Sequence, residues 1–176
     1  MNLIQRFFGH IKTVATHKNY VFIHCLKAGI PWRGLVHDLS KFSPSEFIPG
    51  VKYYTGVRSP NEKERSANGC SLAWMHHKGR NKHHYEYWID YSMKTKNPEP
   101  VEMPVKYVKE MFCDRVAAGK TYHKESYTDS DPLNYYQVKK NHRDIHPQTA
   151  ALLEELLTML AEKGEKETFA YIRSLK

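Results

Sequence analysis

Residues 34–47 read GLVHDLSKFSPSEF. The second half of this stretch has the signature of a helix start, because Ser43, Pro44 and Glu46 have the spacing of an N-cap, a first-turn proline and a capping-box glutamate. The first half belongs to a helix predicted over about 31–41, which begins at a proline. The stretch therefore predicts two short helices in succession, with an adjacent His-Asp pair near the end of the first.

Helical patterns continue on both sides of this stretch. Apolar residues recur with the 3.6-residue helical period over 3–28, until glycine and proline interrupt them. A short helix is predicted from Ser43 to Pro49-Gly50, and another ends at about 77. Further helices are predicted over 83–94, over 104–118 before Gly119, and over 131–141. The last two run from Pro147 towards Gly164 and through a final segment that contains Phe169. No alternating strand pattern and no repeat is found. The sequence predicts one all-α domain spanning 1–176.

Composition limits the classes of partner. The chain has 176 residues and a formal charge of +8, which favours an anionic partner such as a phosphorylated small molecule, a nucleotide or nucleic acid. A solvated basic surface explains the charge equally well, because the cations are spread along the chain. Three separated cysteines predict neither a disulfide framework nor a thiolate zinc site. A cytoplasmic protein without a membrane partner is expected, and its oligomeric state is left open.

Histidine is unusually frequent, with 11 residues in the chain. His17 and His24 lie seven residues apart and share a helix face. The adjacent pairs at 76–77 and 83–84 are also seven apart, and Asp114 lies on an otherwise apolar helix, where a buried carboxylate requires a cation or donors. Imidazoles and carboxylates that converge from different helices can build a metal site. Ordinary core histidines, a solvated basic turn and a surface salt bridge of Asp114 are the simpler alternatives.

The order of these motifs resembles the HD-domain superfamily of metal-dependent phosphohydrolases. The resemblance covers about 15–120 and is most specific in the segments HDLSKFSPSEF, AWMHHKGRNKHH and CDRVAAGK. These segments also look like a small bacterial and phage family of unknown function within that superfamily. The resemblance implies a helical bundle of HD-domain type, with the metal-site core over 15–120 and C-terminal helices over 131–176 that complete it.

The resemblance also implies which residues act. The implied metal ligands are His17, with His24 as its competitor, His37, Asp38, His76 or His77, His83 or His84, and Asp114. Asp38 would bridge two metal ions or orient the attacking water. Lys41 follows the His-Asp pair by three residues and matches a family position that contacts the substrate phosphate. By their charge alone, and not through the resemblance, Arg80, Lys82 and Arg115 are further candidates for binding that phosphate.

The donor types are consistent with one chemistry. Imidazole and carboxylate suit one or two divalent ions of Mn, Fe, Co, Ni or Zn, which lower the pKa of bound water and make hydroxide available. The sequence therefore predicts a metal-dependent hydrolase of phosphate esters, with a nucleotide as favoured substrate and both monoesters and diesters open. Two alternatives remain: a di-iron oxygenase on the same scaffold, and a non-catalytic module that binds a nucleotide or nucleic acid.

Overall fold

The computed structural model describes residues 1–138 and 144–176, most of which are helical. Within these ranges the helices are α1 (Leu3–Lys27), α2 (Pro31–Val36), α3 (Pro44–Lys52), α4 (Pro60–Asn68), α5 (Leu72–Lys78), α6 (Val105–His123), α7 (Asp131–Val138) and α8 (Pro147–Ser174). The predicted all-α class is confirmed. In the described part of the chain, no helix is both long and apolar enough to cross a membrane.

Three long helices, α1, α6 and α8, form most of the core. On α6, Val108, Phe112 and Val116 are buried, and buried residues occur on more than one side of this helix, as its pattern predicted. The fully buried leucines of α8 are Leu153, Leu156, Leu157 and Leu160. The leucine face of the last long helix therefore completes the core of this chain.

The buried face of α1 differs from the apolar face of its sequence pattern. Leu3, Ile4 and Phe8 follow the pattern but are largely exposed. The buried positions in the first six turns are His10, Val14, His17, Val21 and His24. These residues alternate steps of four and three, which is the spacing of a single helix face. Histidine side chains from α1 therefore point into the protein interior.

The chain breaks its helical path at the His-Asp pair. Helix α2 ends at Val36, Asp38 has a left-handed backbone conformation with φ of 53°, and a 3-10 helix follows over Leu39–Phe42. Aspartate tolerates this conformation better than most residues do. Lys18 of α1 supports the break, because its Nζ donates to the backbone oxygen of His37 at 2.8 Å. The continuous helix predicted to about residue 41 is therefore wrong.

Helix α2 packs closely on α1 at Gly34. A Cβ atom at Gly34 would lie 2.7 Å from Cys25 Cβ and 3.0 Å from Phe22 Cα. Because the Phe22 atom is backbone and cannot turn away, we expect Gly34→Ala to lower the free energy of unfolding by about 1–3 kcal/mol. Urea unfolding followed by circular dichroism measures this change. Leu35→Ala, at an exposed neighbour, should change stability by less than about 0.5 kcal/mol, and an equally small effect at Gly34 would contradict the close packing.

Several helix boundaries differ from the predicted ones. Pro49 lies inside α3 instead of ending it, and α6 continues through Gly119 to His123. The break predicted at Gly164 is confirmed, since this residue interrupts α8 with φ of 76° and ψ of 177°. Helix α7 is described to Val138, and its predicted end near 141 lies outside the described residues. Proline and glycine patterns thus locate helices better than they locate helix ends.

The segment after the second histidine pair is not the helix predicted over 83–94. It forms strand β1 (Ile89–Tyr91), which pairs antiparallel with β2 (Pro98–Pro100). The sequence pattern gave no signal for this two-stranded sheet, which leaves the all-α class unchanged. Aromatic residues in this segment favour pleated structure, and Trp88 Nε1 donates to the backbone oxygen of Lys82 at 2.7 Å. This hydrogen bond closes the loop that carries the second histidine pair.

Candidate metal centre

Asp38 lies at the centre of the candidate site and is 3% exposed. Its Oδ1 atom lies 3.4 Å from the Nε2 atoms of both His77 and His83. Its Oδ2 atom lies 3.2 Å from His37 Nε2 and 2.6 Å from Lys41 Nζ. The left-handed break after α2 thus places one carboxylate among imidazoles from three separate segments.

Two groups of possible ligand atoms share Asp38. The first group consists of His17, His37, Asp38 and Asp114, and the second of Asp38, His77, His83 and His84. Within each group the ligand atoms lie within 4.8 Å of one another. These buried and half-buried groups could each hold a metal ion. A carboxylate that belongs to both groups has the position from which one residue bridges two ions.

Several imidazole nitrogen atoms at this centre have no hydrogen bond. The Nε2 atoms of His17, His37, His83 and His84 are buried and lack a hydrogen-bond partner among the described residues. His17 Nε2 lies 3.0 Å from Asp114 Oδ1, but the angles do not suit a hydrogen bond. A buried unpaired polar group costs about 1–3 kcal/mol. A cation that these atoms shared with the nearby carboxylates would complete their bonding.

Glu110 of α6 holds two of these histidines from behind. Its Oε1 atom lies 3.0 Å from His37 Nδ1 and 3.3 Å from His83 Nδ1, and its Oε2 atom accepts from Arg33 Nε at 2.7 Å. Because an ionised carboxylate only accepts hydrogen bonds, both Nδ1 atoms must carry the proton. The Nε2 atoms are thereby directed at Asp38 as the potential metal-binding atoms.

Glu46 of α3 orients a histidine of the second ligand group in the same way as Glu110 orients His37. Its Oε2 atom lies 2.7 Å from His77 Nδ1, and its Oε1 atom lies 2.7 Å from His76 Nδ1. Ser43 is the N-cap residue of α3 as predicted, but its side chain makes no capping hydrogen bond. Glu46, the glutamate of the predicted capping box, therefore binds His76 and His77 of α5 instead of capping α3. His76 contacts this glutamate and belongs to neither ligand group.

The carboxylates of the centre are anionic at neutral pH. Burial opposes the ionisation of Asp38, but the charges of His37 and Lys41 outweigh it and hold the pKa of Asp38 well below its usual range. Burial also opposes the ionisation of Asp114, but the close contacts with His17 and His37 outweigh it and hold the pKa of Asp114 well below its usual range. Burial also opposes the ionisation of Glu110, but hydrogen bonds from His37 and His83 outweigh it and lower the pKa of Glu110 to about 2. The site thus concentrates negative charge in the protein interior.

The histidines divide into two kinds. Burial lowers the pKa of His17 and, more strongly, that of His84, so both imidazoles are neutral at pH 7. Burial also opposes protonation of His37, but Asp38 and the other nearby carboxylates raise its pKa well above the usual value. A metal ion must bind neutral imidazole, so its binding at His37 requires the release of a proton.

The remaining predicted site residues lie in other positions. His24, the competitor of His17, stacks on Phe169 with a centroid distance of 5.5 Å and lies 3.7 Å from Glu165. Arg80 and Lys82 line a cavity on the Glu110 side of the site. Arg115 on α6, the last of the predicted phosphate-binding residues, is half-buried and belongs to neither ligand group.

Two adjacent histidines of α5 provide a matched pair of variants. His77 faces Asp38, whereas His76 contacts the outer carboxylate Glu46 and belongs to neither ligand group that contains Asp38. We expect His77→Ala to weaken metal binding by more than about 100-fold and His76→Ala to weaken it by less than about 10-fold, because only the first removes a ligand. Titration of metal-free protein with a competing chelator measures both affinities. Equal losses in the two variants would contradict the assignment of His77.

Sequence reasoning missed the residues that orient the ligands. These are Glu46, Glu110, Arg33 and Lys18. Glu110 had a usable signal, since it precedes Asp114 by four residues and therefore shares its helix face. Glu46 was recognised only as a capping-box residue, and Arg33 and Lys18 had no signal, because these contacts join segments that are distant in the sequence.

Comparisons with known proteins give one match. Residues 6–159 match the family model described as a family of unknown function, DUF5662. No curated protein and no solved structure matches the chain. The matched range includes every residue of the two ligand groups that share Asp38.

Proposed function

The chain belongs to DUF5662, a family of unknown function. From its candidate metal centre we propose that it is a metal-dependent hydrolase of phosphate esters. Nucleotides are the favoured substrate class. The observation that carries the proposal is Asp38, which two groups of buried ligand atoms share. The resemblance of the HDLSKF and CDR segments to HD-domain phosphohydrolases supports the same reaction class and a helical bundle of that type.

The donor set fits one or two divalent transition-metal ions. Imidazole nitrogen and carboxylate oxygen atoms suit Mn, Fe, Co, Ni and Zn, and the ligand groups contain no thiolate. When bound, such an ion supplies Lewis acidity that activates water at neutral pH. Glu110 and Glu46 fit this use of the site, because each binds the Nδ1 atom of a histidine and leaves its Nε2 atom facing Asp38.

Lys41 is the residue best positioned to meet the substrate phosphate. Its Nζ atom lies 2.6 Å from Asp38 Oδ2, and its side chain is 28% exposed, so an incoming ligand can reach it. Burial favours the neutral amine, but the charge of Asp38 outweighs this effect and raises the pKa of Lys41. Lys41 therefore stays cationic and would neutralise a phosphate oxygen as negative charge develops during hydrolysis.

Metal removal is expected to lower thermal stability. A metal ion that binds only the folded state stabilises it by about 2.7 kcal/mol at a free concentration 100 times its Kd, and this corresponds to about 5–10 °C in Tm for a domain of this size. Differential scanning calorimetry of stripped and reconstituted protein measures the shift. Asp144→Ala, at an exposed position, should retain this shift in Tm. A Tm that does not respond to metal would contradict the site.

Hydrolysis is tested on protein stripped with a chelator and reconstituted with Mn, Fe, Co, Ni or Zn in turn. The substrates are p-nitrophenyl phosphate and nucleoside monophosphates for monoester cleavage, and bis-p-nitrophenyl phosphate and cyclic nucleotides for diester cleavage. We expect release of product that depends on metal and is abolished by Asp38→Asn, because this variant removes the shared carboxylate. Metal-loaded protein that cleaves none of these esters would contradict the proposal.

The same preparations separate the two other function classes. Iron bound with a visible absorption band, together with oxygen uptake in the presence of substrate, would favour the oxygenase. Nucleotide binding without turnover under every metal, or nucleic-acid binding that weakens steeply with salt, would favour the non-catalytic module.

A further inference from the structure

A cavity of about 260 Å³ lies beside the metal centre, on the side of Glu110 and His37. Asp114 does not line this cavity, and neither does any member of the second ligand group, which includes Asp38. Ligand pockets for larger organic molecules usually measure about 300–1,000 Å³. This cavity therefore suits a small ligand, or one terminal group of a larger molecule.

The charged side chains that line the cavity are mostly cationic. Arg33, Arg80 and Lys82 face a single carboxylate, that of Glu110. Glu110 already has partners, because its Oε2 atom accepts from Arg33 Nε at 2.7 Å and its Oε1 atom lies 3.0 Å from His37 Nδ1. The other two cations have no second carboxylate in the cavity wall. A concave surface lined by one sign of charge concentrates ions of the opposite sign.

The Arg33 side chain and the turn that carries the other two cations are held in place by their neighbours. The Arg33 guanidinium lies 4.7 Å from the centre of the Tyr107 ring, which fixes its plane together with the hydrogen bond to Glu110. Arg80 and Lys82 flank Asn81, whose Nδ2 atom donates to Ser40 Oγ at 2.7 Å and to the backbone oxygen of residue 77 at 2.8 Å. The turn is therefore anchored between its two cations. A guanidinium fork and an ammonium group are suited to phosphate oxygens.

We infer that this cavity binds a phosphate group, at a site that borders the metal centre at His37 but is not lined by Asp38 or Asp114. The ligand is either free inorganic phosphate or the terminal phosphate of an ester. Arg80 and Lys82 supply the charge that is not already neutralised, and Arg33 supplies a guanidinium of fixed orientation. This binding requires neither a metal ion nor hydrolysis, so it can be measured whether or not the proposed activity exists.

Isothermal titration of metal-free protein with inorganic phosphate, at constant ionic strength, tests the site. The Arg80→Gln, Lys82→Gln double variant is expected to bind phosphate at least about 10-fold more weakly, since hydrogen bonds to charged groups are lost. Lys12→Gln, Lys63→Gln removes the same charge from exposed positions on α1 and α4 and should change the affinity by less than about 2-fold. Circular dichroism of both variants checks that they are folded.

Two further measurements show whether the site binds free phosphate or a phosphate ester, and whether binding occurs in this cavity or at the metal centre. Binding of inorganic phosphate but not phenyl phosphate supports a site for the free anion, and binding of phenyl phosphate supports a site for an ester. Asp38→Asn should retain this binding, which distinguishes it from any phosphate affinity of the metal centre. Absence of binding by metal-free wild type, or equal losses in the two double variants, would overturn the inference.

Discussion

Asp38→Asn is expected to lose metal from both ligand groups at once, with affinity lowered by well over about 100-fold. Removal of an outer hydrogen-bond partner of a ligand already weakens metal binding by about 10–100-fold, and Asp38 is itself the ligand that both groups share. Elemental analysis of protein purified without a tag should find about one or two equivalents of transition metal in wild type and almost none in the variant. Phosphate-ester cleavage should disappear with the metal.

Asparagine is the correct replacement because of the backbone at this position. Asp38 has a φ of 53°, a left-handed conformation that asparagine also adopts readily. Alanine would add about 1–2 kcal/mol of backbone strain, so Asp38→Ala should be less stable than Asp38→Asn while losing the same metal. Asp144→Ala, at an exposed position, should keep the metal. Full metal content in Asp38→Asn would contradict the central position of this carboxylate.

Glu110→Gln is the second substitution with a large expected effect. Its carboxylate orients His37 and His83 through their Nδ1 atoms and pairs with Arg33. Loss of the negative charge should weaken metal binding by about 10–100-fold, since both histidines become less basic and less firmly oriented. The number of ions bound by the two groups that share Asp38 should stay the same at saturating metal, because Glu110 belongs to neither group. This combination separates an orienting residue from a ligand such as Asp38.

The same variant should also be less stable without metal. Breaking a buried charge pair by removing one partner lowers the free energy of unfolding by about 3–5 kcal/mol, and the partly exposed Arg33 should reduce the effect to about 2–3 kcal/mol. Urea unfolding of metal-free protein measures this loss. Glu167→Gln, at an exposed position of α8, should leave both stability and metal affinity unchanged. A Glu110→Gln protein with wild-type metal affinity would show that the contact does not orient the ligands.

Part of the candidate site was predictable because its residues carry local signals. His37 and Asp38 are adjacent, the two pairs at 76–77 and 83–84 are seven residues apart, and Asp114 is a carboxylate on an apolar helix. Such signals identify residue types that suit a metal. They do not state which member of a pair faces the centre, because neighbouring residues on a helix point about 100° apart.

By itself the sequence determined the all-α class, the first long helix, the break at Gly164 and the residue types of the centre. Hydrophobic periodicity and helix-breaking residues act over a few positions, so a single sequence is enough to recognise them. Only the tertiary structure decided that His77 is the inward member of its pair and that the His-Asp pair lies at a left-handed break.

The tertiary structure also decided how the ligands are oriented. Glu110 contacts His37 across 73 positions of sequence, and Glu46 contacts His77 across 31. Such contacts exist only after α3, α5 and α6 have packed around the break that follows α2, and no local pattern encodes that packing. Burial then makes each of these carboxylates costly without a partner, which is why the folded chain, and not the spacing of its residues, defines this centre.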